Sequence, residues 1–171
     1  MGREPQYSLY ELPNDSISLQ VRALSLSEDM SLLSSKNDEL LILLYEWEDT
    51  GSMQAPLAQW SLVMPARHPG FIKTLPMNPA SEKSWVLLLL IEIDDDLSGE
   101  EIEALLRPNL RKLIAAFEDE NYTALGQLLG DQDMLGYRIV PADETLPFQV
   151  TLTGRHKFDK YHYVISFSPK G

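Results

Sequence analysis

The stretch that decides the fold is an apolar run ending in acidic residues, which reads Trp85-Val86-Leu87-Leu88-Leu89-Leu90-Ile91-Glu92-Ile93-Asp94-Asp95-Asp96. Its uninterrupted apolar part, Trp85 to Ile91, is far shorter than the roughly 20 residues that a membrane-spanning helix needs. A short apolar run without alternation is typical of a strand that is buried on both faces. The run therefore predicts a central strand that is covered on each side.

Other segments alternate between apolar and polar residues, as half-buried strands do. This period of two occurs in residues 17–23, 45–48, 148–153 and 161–167, and shorter strand patterns occur near residues 60–64, 71–75 and 137–140. Strands and helices do not alternate along the chain, which disfavours a doubly wound fold. We therefore predict one mainly β domain over residues 1–171, an eight-stranded antiparallel β-sandwich.

A helical insertion is predicted between the fifth and sixth strands, at about residues 98–130, where apolar residues recur every three or four positions. Ser98 is a plausible N-cap, and Arg111 and Lys112 fall later in the pattern, where the helix dipole favours cations. Pro108 should kink or split the helix, because proline removes a backbone hydrogen bond. The apolar stripe must be buried against the sandwich, unless part of it stays exposed as a docking surface.

The composition excludes several kinds of functional site and partner. The chain has 171 residues, 26 acidic against 14 basic side chains, a net charge of −12 and no cysteine. The absence of cysteine excludes a cysteine nucleophile and iron–sulfur centres. The negative charge disfavours nucleic acid as a partner. The N-terminal residues lack the apolar core of a signal peptide, so we expect a cytoplasmic protein.

Several aspartates fall at strand ends and in the adjacent loops. Asp94 and Asp96 directly follow the buried run, Asp133 precedes the next predicted strand, and Asp29 and Asp38 flank the loop before the second strand. A hard cation such as calcium takes six to eight oxygen ligands, and such loops can supply them if the sheets bring the loops together. These aspartates can equally form a solvated surface that caps turns and helices.

The segments Leu90-Ile91-Glu92-Ile93-Asp94-Asp95-Asp96 and Asp133-Met134-Leu135-Gly136 resemble the calcium- and phospholipid-binding β-sandwich domain of synaptotagmin and protein kinase C. A weaker counterpart of that family's first loop runs from Asp29 to Asn37-Asp38-Glu39-Leu40. The resemblance implies calcium ligands at Asp29, Asp38, Asp94, Asp96 and Asp133. The family's Pro-Tyr after the second aspartate is absent here. The helical insertion also lies between Asp96 and Asp133, where it could bury the ligand loops or separate them.

A second candidate surface is the basic hairpin predicted between the last two strands. Its cationic and titratable residues are Arg155, His156, Lys157 and Lys160. Basic side chains interleaved with aromatic residues can bind a ligand or a partner. The same pattern also fits an exposed hairpin tip with no ligand.

Catalysis has no support in the sequence, because no nucleophile elbow, phosphate loop, dinucleotide fingerprint or zinc-protease motif occurs. Trp47, Trp60 and Trp85 are in phase with apolar neighbours, so we expect them in the core. We predict a non-catalytic recognition module without a cofactor, which binds a protein as an adaptor or as a subunit of an assembly. The alternative is calcium-dependent binding of a membrane or ligand through the aspartates.

Overall fold

A computed structural model describes residues 8–9, 17–25, 38–47, 55–64, 71–75, 80–81, 83–94, 96–156 and 159–169. The strands in this part of the chain are β1 (Ile17–Ser25), β2 (Asp38–Trp47), β3 (Ala58–Met64), β4 (Phe71–Leu75), β5 (Trp85–Glu92), β6 (Asp133–Pro141), β7 (Phe148–His156) and β8 (Asp159–Pro169). Between β5 and β6 lie α1 (Gly99–Leu106), a 3-10 turn (Arg107–Asn109), α2 (Leu110–Glu118) and α3 (Tyr122–Leu129). None of these helices has the length and apolar character needed to cross a membrane.

The strands form two antiparallel sheets. One has the order β4-β1-β8-β7 and is called the β1 sheet, and the other has the order β3-β2-β5-β6 and is called the β5 sheet. Every strand pairing in the described residues is antiparallel. The mainly β, antiparallel character predicted from the sequence is therefore confirmed.

Strand β5 is buried on both faces, as its unbroken apolar run predicts. One face contributes to a cluster shared with the β1 sheet, through Val86, Leu88 and Leu90. The other face contributes to a cluster shared with the helices, through Leu87, Leu89 and Ile91. Burying a leucine or isoleucine side chain is worth about 1.5–3 kcal/mol, so both covering layers stabilise this strand substantially.

The cluster between the two sheets draws on several strands. Leu40, Ile42 and Leu44 of β2 join the β5 residues on one side. The β1 sheet supplies the other side with Val150 and Leu152 of β7 and with Tyr163, Ile165 and Phe167 of β8. The alternation seen in β7 and β8 is thus explained, because only every second residue of each strand reaches this core.

The helices form a layer on the outer face of the β5 sheet. Their apolar stripe packs there through Ile102, Leu106, Leu110, Leu113 and Leu129. The Ser98 hydroxyl accepts a hydrogen bond from the Glu101 amide at 3.2 Å, which confirms the predicted N-cap. The stripe is therefore mainly a part of the core rather than a docking surface.

Pro108 lies in the 3-10 turn that separates α1 from α2, as expected from its missing amide hydrogen. Because α2 begins at Leu110, Arg111 and Lys112 lie in the first turn of a new helix. The expectation that they lie where a helix dipole favours cations is therefore wrong. The sequence pattern was continuous across Pro108, and only the structure shows where the second helix starts.

Helix α1 approaches the β5 sheet closely at its first residue, Gly99. A Cβ atom on Gly99 would lie only 2.6 Å from the Ser61 hydroxyl oxygen and 3.0 Å from a methyl carbon of Leu41. A side chain at this position would therefore require the Ser61 hydroxyl and the Leu41 methyl to shift. The first turn of α1 is in close contact with the β5 sheet at this glycine.

A buried polar contact also fixes α1 on the sheet. The Tyr45 hydroxyl, on β2, donates a hydrogen bond to the Glu103 carboxylate at 3.2 Å. Arg107 donates two hydrogen bonds to the same carboxylate, at 2.6 and 2.7 Å. A buried carboxylate is tolerated only when it is paired and hydrogen-bonded, and these two partners supply both conditions.

This contact predicts a dependence of stability on alkaline pH. Burial raises the pKa of Tyr45, and Glu103 adds to the increase. The folded protein therefore keeps this proton at pH values where an unfolded tyrosine, with a pKa of about 10, loses it. The free energy of unfolding should fall as the pH rises above about 10. Tyr45→Phe should weaken that fall and cost about 0.5–1.5 kcal/mol at pH 7, as measured by urea unfolding.

The control for this prediction is Tyr122→Phe, which removes the hydroxyl of an exposed tyrosine. It should change neither the stability at neutral pH nor the alkaline slope. A Tyr45→Phe protein with the same alkaline slope as the parent would contradict the assignment.

Candidate functional site

Three carboxylates come together at the end of β5. One oxygen each from Glu92, Asp94 and Asp133 lie within 4.8 Å of one another. Glu92 is buried, Asp133 is partly buried and Asp94 is exposed. We call these three residues the acidic group. It is open to solvent on one side and held by the protein on the other.

Strand pairing explains the position of two members of the acidic group. Glu92 on β5 and Asp133 on β6 are direct cross-strand partners. A β-bulge between Leu90 and Ile91 shifts the register, so that Leu90 pairs with Gly136 whereas Ile91 pairs with Met134. Gly136 has a φ of +155°, and a Cβ atom there would lie 3.0 Å from a methyl carbon of Leu152. Glycine is therefore needed to form the bulge.

Hydrogen bonds continue the sheet beyond the acidic group. The Asp94 amide donates to the side-chain oxygen of Gln132, a buried residue, at 2.9 Å. The Ile93 amide donates to the Glu39 carbonyl at 2.8 Å, which extends the pairing of β2 with β5. This extension places the backbone of Asp38 at the same end of the sheet as Asp94.

The acidic group brings together the type of ligand that a hard cation takes. Like charges directly opposite each other on neighbouring strands destabilise a sheet. Carboxylate oxygens are also the preferred ligands of hard divalent cations, and three carboxylates can supply up to six oxygens. The arrangement can therefore hold calcium or a similar ion, with water or other oxygens completing the coordination.

The structure describes only some of the predicted calcium ligands. It brings Asp94 and Asp133 together, whereas Asp96 is exposed and is not part of the acidic group. The side chain of Asp38 and the whole of Asp29 lie outside the described residues. The helices cover a face of the β5 sheet, and they do not separate Asp94 from Asp133.

Sequence reasoning missed Glu92, the buried member of the acidic group. The available signal was a charged residue inside the apolar run, between Ile91 and Ile93. Charged side chains are rarely buried without a partner, so its position already suggested a special environment. Only the strand register shows that this environment contains Asp133.

The predicted basic hairpin is described in its backbone alone. Strands β7 and β8 pair from Phe148 with Phe167 up to His156 with Asp159, and Arg155 pairs with Lys160. The side chains of Arg155, His156 and Lys160, and the whole of Lys157, lie outside the described residues. Their role as a ligand or partner surface stays a prediction.

A second surface feature lies at the opposite end of β5. On the helix side of the β5 sheet, the cross-strand partners form successive rows across β2, β5 and β6. The β5 members Ile91, Leu89 and Leu87 of the first three rows are fully buried. The next row consists of Trp47, Trp85 and Pro141, and its Trp85 is 50% exposed. We call this row the tryptophan row.

The tryptophan row corrects the expectation that Trp85 is a core residue. Trp85 is in phase with the apolar face of its strand, but the helical layer ends before reaching it. Trp47 is only partly buried, and the Arg111 guanidinium carbon lies 5.3 Å from its ring centroid. The side chain of Trp60 lies outside the described residues. Periodicity predicted the face of Trp85 correctly, but it could not predict the extent of the covering layer.

The chain matches no protein-family model and no curated protein sequence. The acidic group and the tryptophan row lie at opposite ends of the same central strand.

The acidic group predicts the effect of neutralising one carboxylate. Asp133→Asn keeps an oxygen acceptor and removes the charge opposite Glu92. In the presence of EDTA it should raise the free energy of unfolding by about 0.2–1 kcal/mol, as measured by urea unfolding. Asp131→Asn is the control, because Asp131 is exposed and outside the group. If Asp133→Asn is less stable than the parent while the control is unchanged, the repulsion between Asp133 and Glu92 is already compensated in the parent.

Proposed function

We propose that the protein is a non-catalytic recognition module that binds a protein partner through the tryptophan row. The supporting observation is the half-exposed Trp85 beside the partly buried Trp47, on a sheet face whose other rows the helices cover. Tryptophan and arginine are enriched in the residues that dominate protein–protein binding energy. Arg111 on the Trp47 ring adds such a residue to the row.

Desolvation of Trp85 would drive the binding. A half-exposed tryptophan leaves a large apolar area in contact with water, and a partner that covers it gains the corresponding transfer free energy. The row lies on a β-sheet, so its backbone is already ordered before binding. A rigid apolar surface of this kind loses little conformational entropy when a partner docks.

We also propose a cellular role and a structural class for the protein. The protein would act in the cytoplasm as an adaptor or as a subunit of a larger assembly. We further propose that its two antiparallel sheets form an eight-stranded β-sandwich of the synaptotagmin type. The supporting features are the apolar cluster shared by the two sheets and the aspartates at the end of β5.

The test of protein binding uses Trp85→Ser beside Trp85→Phe. Proteins captured from the source cell by the parent chain are identified, purified and measured by calorimetry against each variant. Trp85→Ser should weaken binding of the true partner by about thirtyfold, equivalent to ~2 kcal/mol for a residue that dominates an interface. Trp85→Phe should keep most of the affinity.

Leu105→Ser provides a matched control. Leu105 is 59% exposed on α1 and lies outside the tryptophan row, so its replacement should leave the affinity unchanged. Purified partners that bind the parent and Trp85→Ser equally would exclude the row as the binding surface. Substrate turnover by the purified protein, lost on mutation of a pocket residue, would refute the non-catalytic proposal.

Calcium-dependent binding of a membrane or ligand is the second candidate function, favoured by the convergence of Glu92, Asp94 and Asp133. The cation would be essential for an anionic membrane, because a chain with a net charge of −12 is otherwise repelled. Bound calcium would reverse the local charge at this end of the sheet.

Thermal unfolding with added calcium chloride tests the second function. At a calcium concentration of 100 times Kd, binding should stabilise the fold by about 2.7 kcal/mol and raise Tm. Asp133→Asn should abolish the increase, whereas Asp96→Asn should leave it intact, because Asp96 lies outside the acidic group. A parent protein whose Tm and calorimetric heat do not respond to millimolar calcium would rule out this function.

A further inference from the structure

The charges on α2 run in the opposite direction to the helix dipole. Arg111 and Lys112 occupy the first turn, and Glu118 ends the helix, followed by Asp119 and Glu120. The first turn contains no acidic residue and the last turn no basic residue. Since the dipole is positive at the N-terminus and negative at the C-terminus, both groups of charges are unfavourably placed.

Two of these charged residues are used inside the protein. Arg111 lies over the Trp47 ring, and the Glu118 carboxylate accepts a hydrogen bond from the Tyr137 hydroxyl. Lys112 and Asp119 are different, because both are exposed and neither makes an ion pair among the described residues. The described contacts within the chain therefore explain the positions of Arg111 and Glu118, but not those of Lys112 and Asp119.

The outward surface of α2 has a small side chain at its centre. Lys112 and Asp119 are seven positions apart, so they lie on one face of the helix, and the exposed Ala115 lies between them. A methyl group at the midpoint permits another helix to approach closely. This face presents a positive end, a small centre and a negative end.

Two exposed apolar side chains lie on the helices that precede and follow α2 in the chain. Leu105, 59% exposed, precedes α2, and Tyr122, 71% exposed, follows it. A helix that packed antiparallel against α2 would bring its own C-terminal end beside Leu105 and its N-terminal end beside Tyr122.

We propose that α2 packs antiparallel against α2 of a second copy of the chain, with Lys112 of each copy facing Asp119 of the other. The pairing is self-complementary, as a two-fold symmetric dimer requires. It places acidic residues beside each helix N-terminus and basic residues beside each C-terminus, which compensates both dipoles. Arg111 of α2 lies over Trp47, so this surface adjoins the tryptophan row without containing Trp85.

Charge reversal and its rescue test the dimer by sedimentation equilibrium over a range of protein concentrations. Lys112→Glu should weaken dimerisation by at least about tenfold, because two attractive pairs become repulsive in a symmetric dimer. Asp119→Lys should have the same effect. The double variant Lys112→Glu with Asp119→Lys restores opposite charges across the two-fold axis and should recover part of the parent affinity, because the ion pairs return whereas the compensation of the dipoles does not.

Lys83→Glu is the matched control, since it makes the same charge change at an exposed lysine outside α2 and should leave the dimer intact. Circular dichroism of each variant separates a lost dimer from a lost fold. A parent chain that stays monomeric at all concentrations would overturn the proposal. A dimerisation affinity that neither charge reversal changes would also overturn it, and so would a folded double variant that stays dissociated. Partner binding through Trp85 can succeed or fail independently of these results.

Discussion

The structure depends on one constraint, which is that the central strand β5 is apolar on both faces. Such a strand is stable only when each face is covered, because exposed leucine and isoleucine side chains would forfeit the hydrophobic free energy. The β1 sheet covers one face and the helical layer covers the other. The neighbouring strand β2 follows the same rule, with Leu41 and Leu43 under the helices and Leu40 and Ile42 toward the β1 sheet.

The candidate functional features lie where this covering ends. At one end of β5, Glu92 continues the buried strand and meets Asp133 on β6. At the other end, Trp85 continues the apolar face beyond the reach of the helices. The length of the helical layer relative to the strand therefore determines how much of the tryptophan row stays exposed. The strand is a rigid support for both features, since its hydrogen bonds to β2 and β6 are formed along its length.

The division of the insertion into separate helices has consequences beyond packing. Pro108 ends the first helical segment, so Arg111 and Lys112 become N-terminal residues of α2 instead of late residues of one long helix. Their charge then opposes the dipole of the helix that carries them. A single proline thus changes where charged residues several positions away lie relative to a helix dipole. The resulting charge order of α2 is the one that a second copy can complement.

The sequence by itself determined the central strand, the positions of the helices and the Ser98 cap, because these depend on local periodicity and on contacts between near neighbours. It also placed Asp94 directly after β5 and Asp133 at the start of β6, and these two do come together. Only the tertiary structure decided that Glu92 joins them and that Trp85 is half-exposed. Both outcomes depend on strand register and on where a layer of helices stops. These are contacts between residues far apart in the chain, and no local pattern encodes them.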